Sequence, residues 1–154
     1  MSGSLDTVIS ENKIRHMHGV AEFMYRNAER FGLNKEEMYT LGLLHDIGYL
    51  YGKDNHGVSG ADLLRNLGFT FSDIVAYHGK KPEYYLLVHF EKESLPPELV
   101  LLLIADLSID SKGNEVGPEG RLTDIKLRYG SSSEEYVVAV ETVAWLVGMG
   151  GFHE

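Results

Sequence analysis

Cysteine is absent from the 154 residues. Its absence excludes a disulfide framework, a thiolate metal ligand and a cysteine nucleophile, and it is compatible with a reducing compartment. Fixed-period repeats, low-complexity tracts and long linkers are also missing, which leaves one ordinary globular domain over residues 1–154. The longest uninterrupted apolar run, residues 99–105, falls far short of the roughly 20 residues a membrane span requires. The first residues show neither the basic start nor the apolar stretch of a secretory signal, so the expected location is the cytoplasm. Cations are scarce: 14 Lys and Arg stand against 23 Asp and Glu, a formal charge of −9. Such a field repels a polyphosphate backbone, so bulk nucleic-acid binding and membrane association are not expected. A small phosphorylated substrate needs only a local positive site, and composition does not exclude it. A chain of this length buries roughly two-thirds of the surface its unfolded form exposes. It needs no metal merely to fold, and a metal here would serve chemistry.

Strand-like alternation is essentially absent, and single Gly, Pro and Asn residues punctuate helix-length segments, so the expected fold class is all-α. Ile14, Met17, Ala21, Met24, Ala28 and Phe31 repeat at helical spacing before Gly32. Asn34 before Glu36 and Glu37 predicts an N-cap, with a second helix running to about Gly48. Asn55 is placed to cap a third helix that ends at Gly68, and Ser72 to start a short fourth ending at His78-Gly79, both with left-handed glycine caps. Pro96-Pro97 opens a strongly apolar helix through Leu107, in which Asp106 is the only charged residue of the buried stretch. Two C-terminal helices over about 119–148 follow, the last capped by Ser131-Ser132-Ser133. Residues 117–126 read as a loop leading into the first of these, and residues 84–90 fit a short helix or a loop equally well.

Seven histidines occur. His45-Asp46 sits where a helix is expected to end, so an imidazole and a carboxylate can converge beyond the last turn. Asp106 carries a second signal, because a lone carboxylate on an apolar helix is costly to bury unless paired or bound to a cation. On the first helix, His16 and His18 flank the apolar stripe on opposite sides, and periodicity does not choose between them. His56 and His78 fall at helix ends, whereas His89 reads as a partly buried histidine and His153 as a terminal one. A Gly-x-Ser-x-Gly nucleophile elbow is not present.

The string Leu41-Gly42-Leu43-Leu44-His45-Asp46-Ile47-Gly48, preceded by Arg15-His16-Met17-His18-Gly19 and followed by Ile104-Ala105-Asp106, resembles the HD-domain superfamily of metal-dependent phosphohydrolases. The resemblance covers about residues 13–110 and implies a helical bundle of that type. It selects His16 as the first ligand and places His16, His45, Asp46 and Asp106 around one metal. Asp46 would bridge to a second metal held by His56 and His78, as in the binuclear subset. Imidazole and carboxylate without thiolate suit iron, manganese, cobalt, nickel or, less tightly, magnesium. The implied activity is attack of a metal-activated water on a phosphoester of a nucleotide or similar small substrate. A di-iron oxygenase and a non-enzymatic nucleotide sensor are the alternatives the same ligand set permits. Many members carry a lysine directly after His-Asp-Ile-Gly, where this chain has Tyr49. Phosphate recognition is therefore sought at Lys53, Lys80, Lys81 and Arg121, with Arg15 and Arg128 as further candidates.

Overall fold

The computed structural model describes residues 10–48, 56–89, 94–150 and 152, with side chains of 56–59 excluded. Its helices are α1 (Glu11–Asn27), α2 (Lys35–Leu44), α3 (His56–Asn66), α4 (Ser72–Tyr77), α5 (Pro82–Val88), α6 (Pro97–Asp106), α7 (Gly117–Tyr129) and α8 (Glu134–Gly148). No strand occurs among the described residues beyond a single antiparallel bridge, Ile109 to Glu115. The all-α expectation holds. No helix among them is long and apolar enough to cross a membrane.

Local chemistry accounts for most boundaries. The Asn34 side chain accepts from the Glu37 N–H, and Ser133 accepts from the Tyr136 N–H, each satisfying one of the donors that a helix start leaves open. Pro82 and Pro97 stand in first turns, where a missing N–H costs nothing. The ambiguous segment from residue 84 is thereby helical as far as Val88. Four expectations are corrected. The first helix closes as a 3-10 turn over Ala28–Phe31, tightened into the Gly32 cap. The second helix stops at Leu44 rather than near Gly48, because the His45 ring turns back onto the Gly42 carbonyl. Gly68 is left-handed (φ 88°) as expected, but Gly79 is not, and the residue closing α4 is His78 in right-handed conformation. Helix α7 begins at Gly117 itself, where a loop was expected, with Pro118 in its first turn. The proposed cap Asn55 lies outside the described residues.

Helix α6 is the spine of the core. Residues 99–105 are all buried, and α6 touches α1, α2, α4 and α8. A helix apolar around its whole circumference can only be stable in that position. The most extensive contact is between α1 and α2, and a glycine permits it. A Cβ at Gly42 would lie 2.8 Å from Ala21 Cα and 3.0 Å from Ala21 N, both backbone atoms with no freedom to retreat. This close approach brings the His16 and His45 rings to 5.3 Å between centroids. Gly42→Ala should therefore cost roughly 1–3 kcal/mol of stability as an overpacking change, despite the better helix propensity of alanine. Thermal unfolding checks this; a melting temperature equal to or above the parent's would refute the close-packing argument.

Candidate metal centre

The ends of α2, α4 and α6 meet the middle of α1, and their chemically distinctive side chains meet with them. His45 is the residue that closes α2, His78 closes α4, and Asp106 is the last residue of α6. A helix end leaves its final carbonyls without intrahelical partners, and here the imidazoles satisfy them. His45 donates from Nδ1 to the Gly42 carbonyl at 2.6 Å, and His78 donates from Nδ1 to the Val75 carbonyl. His16, within α1, donates from Nδ1 to the Asp110 carbonyl at 2.9 Å. In all three rings the tautomer is thus set by a backbone acceptor, and Nε2 is the atom turned toward the carboxylates.

The Nε2 atoms converge. His16 Nε2 lies 2.8 Å from Asp106 Oδ1 and 3.8 Å from Asp46 Oδ2. His45 Nε2 is 3.1 Å from Asp46 Oδ2 and 3.5 Å from Asp106 Oδ1. His78 Nε2 is 3.2 Å from the other Asp46 oxygen, Oδ1. Two overlapping trios, His16-His45-Asp106 and His45-Asp46-His78, each bring one atom per residue within 4.8 Å of the others. His16, His45, Asp46 and His78 are all buried, whereas His18 is exposed, so tertiary packing separates the two histidines that periodicity left level.

The electrostatics follow from burial against proximity. Burial alone would strip the proton from His45, but the Asp46 and Asp106 carboxylates outweigh it and hold its pKa up to about 10. Burial would likewise keep Asp106 protonated, but its hydrogen bond to His16 and the charge of the nearby His16 and His45 rings hold its carboxyl well below the usual range. His45 Nε2 is nevertheless fully buried and makes no hydrogen bond. A divalent cation fits this arrangement better than protons do. In either trio it would take two Nε2 lone pairs and a carboxylate oxygen together, and nitrogen and carboxylate donors without sulfur suit a first-row transition metal.

Other sequence candidates fall elsewhere. His56 opens α3, but its side chain and all of Lys53 lie outside the described residues. Lys81 pairs with Glu141 at 3.0 Å, and Lys80 stands over the Tyr84 ring. Neither contact involves the cluster. Arg15 pairs with Glu11 and Arg128 covers Tyr129. Arg121 does reach the cluster: Nη2 lies 3.7 Å from Asp106 Oδ1, and Nε donates to the Asp106 carbonyl at 2.9 Å. Sequence reasoning missed Lys13, whose Nζ is 3.3 Å from Asp46 Oδ2 with a largely buried side chain. Its position three residues before His16 puts it one turn away on the same face. Any lysine paired with a solvated helix face shows that same spacing.

The all-α bundle turns three imidazole nitrogens and two carboxylates inward, a set of groups that could hold a metal ion. The chain belongs to the HD domain family, whose model matches residues 14–109. It is also 31% identical over 106 residues to Ribonuclease Y of Thermosipho melanesiensis, an alignment covering 65% of this chain and 19% of that protein. The chain thus spans about a fifth of that relative's length. No solved structure matches the chain significantly. HD domains bind divalent metals and are typically metal-dependent phosphohydrolases, so family membership and donor set agree.

Proposed function

We propose that the chain is a metal-dependent phosphohydrolase with a binuclear centre, cleaving a phosphoester of a nucleotide or similar small phosphorylated molecule. The observation that carries this reading is the division of Asp46: Oδ2 faces His16 and His45 while Oδ1 faces His78. One ion would be held by His16, His45, Asp46 and Asp106, and a second by Asp46, His78 and His56. Two such ions supply an activated water at neutral pH and offset the charge of a phosphoryl group. The chain's own contribution is orientation. The Gly42, Val75 and Asp110 carbonyls hold the imidazoles in the tautomer that offers Nε2. Lys13, the cation adjoining Asp46, stands where a phosphate oxygen would meet positive charge. The similarity to a protein named as a ribonuclease supports a phosphodiester as one substrate class to test, while the net charge of −9 favours short substrates over long polymers.

The test is elemental analysis after loading with manganese, cobalt or iron, followed by a hydrolysis screen over nucleotides and short phosphodiesters. Stoichiometry should approach two ions per chain and fall to one in His78→Ala. A parent that never exceeds one ion, with His78→Ala unchanged, would sink the binuclear claim. Consumption of dioxygen by the iron-loaded chain without phosphate release would point instead to the oxygenase alternative.

A further inference from the structure

Helix α7 lies wholly beyond the residues that the family model matches, yet it reaches the centre through one side chain. The last four carbonyls of α6 show why. The Leu103 carbonyl accepts the Leu107 N–H at 3.0 Å, Ala105 accepts the Ser108 N–H at 3.0 Å, and Ile104 accepts the Ser108 hydroxyl at 2.7 Å. The remaining acceptor, the Asp106 carbonyl, takes the Arg121 Nε–H at 2.9 Å. The other arm of the guanidinium, Nη1, donates to Asp124 Oδ2 at 2.8 Å, one turn along α7. Asp124 in turn accepts the backbone N–H and the hydroxyl of Ser111, both at 3.0 Å. Ser111 follows Asp110, whose carbonyl holds His16. The same loop is pressed onto α1 by Gly113: it sits at φ 90°, and a Cβ there would lie 2.5 Å from the Arg15 carbonyl oxygen.

We infer that Arg121 is a positioning residue for the centre: a strut, locked by Asp124 and Ser111, that fixes the main chain of Asp106 and so the direction of its carboxylate. The inference rests on reading the cluster as a divalent-metal centre. The planar fork is essential to it, because Nε and Nη1 donate at once in two fixed directions, which a single ammonium cannot reproduce. A side chain only 10% exposed, with Nε on the Asp106 carbonyl and Nη1 on the Asp124 carboxylate, is built to hold the end of α6 against α7.

The experiment is calorimetric titration of the full chain with Mn2+ alone, for the parent, Arg121→Gln, Arg121→Lys and Asp124→Asn. Arg121→Gln and Arg121→Lys should each weaken binding on the order of 10-fold, the range for partners that orient a ligand from behind. Asp124→Asn should weaken it by a smaller factor. Equal failure of lysine and glutamine marks geometry rather than charge. Rescue of Mn2+ affinity to within twofold by Arg121→Lys would overturn the inference. So would an unchanged Mn2+ affinity with a raised KM, which would make Arg121 a substrate contact. If Arg121→Gln loses helical circular dichroism, Asp124→Asn, which leaves the Asp106 contact in place, decides. A second readout needs no metal: the imidazole nitrogen signals of His16, whose Nε2 sits on Asp106, should shift in Arg121→Lys. If the parent takes up no Mn2+, the reading of the centre fails, and unmoved His16 signals would then overturn the strut as well.

Discussion

Asp46→Ala is expected to abolish both metal binding and hydrolysis. Among the described residues, Asp46 is the carboxylate whose two oxygens face different imidazoles of the cluster, so its loss removes a shared ligand from both proposed ions at once. Bound cations supply several kcal/mol of charge stabilisation, and at about 1.4 kcal/mol per decade the rate should fall on the order of 1,000-fold or more. Single histidine variants should fall less. Helical circular dichroism should survive, because the apolar α6 core makes no use of Asp46. The variant also has a signature in the metal-free chain: His45 loses the neighbour that most favours its charge, so its pKa should drop from about 10 toward or below 6.5. Near-parent turnover by Asp46→Ala would place the reaction elsewhere.

Acidification should uncouple the metal from the protein. In the metal-free chain His45 stays protonated up to a pKa of about 10, so at neutral pH an incoming cation must displace that proton. Apparent affinity should rise about tenfold per pH unit while one proton is displaced, or roughly 100-fold from pH 6.5 to 8.5. Calorimetry in buffers of different ionisation enthalpy should show close to one proton released per chain at pH 7.5. The stability of the metal-free chain runs the other way. The His45 pKa is raised above its ordinary 6.5, so its contribution is complete below that pH and is lost as pH rises through about 10. Asp106 is depressed, so its contribution is present above the ordinary carboxylate pKa of 3.8 and is lost only under strong acid. The gap in melting temperature between loaded and metal-free protein should therefore widen with pH. A rate profile whose acid limb ignores added metal at sub-saturating levels would contradict the ligand assignment.

Much of this was legible beforehand because the relevant physics is local. Asn34 and Ser133 announce helix starts through hydrogen bonds that span three residues, and the unbroken apolar face of α6 requires a central position. His45, Asp46 and Asp106 stand out because such groups on or beside apolar helices need partners. Residues whose meaning depends on another element were not legible. Lys13, Asp124 and the Asp110 carbonyl carry no local mark, and the loop reading of residues 117–126 ignored Pro118 in the first turn of α7.

The sequence by itself determined the helical class, the residue types available for a metal and the positions where helices must turn. Those properties arise from periodicity, capping and the cost of isolating a charge, all of which act within a few residues. Tertiary structure buried His16 and left His18 exposed, in line with the family resemblance, and it alone aimed Nε2 rather than Nδ1 into the cluster and seated Arg121 on Asp106. The choices required the close approach of α1 to α2 at Gly42 and the return of α7 over the end of α6. Each depends on backbone atoms far apart in the chain, whose meeting no local pattern encodes.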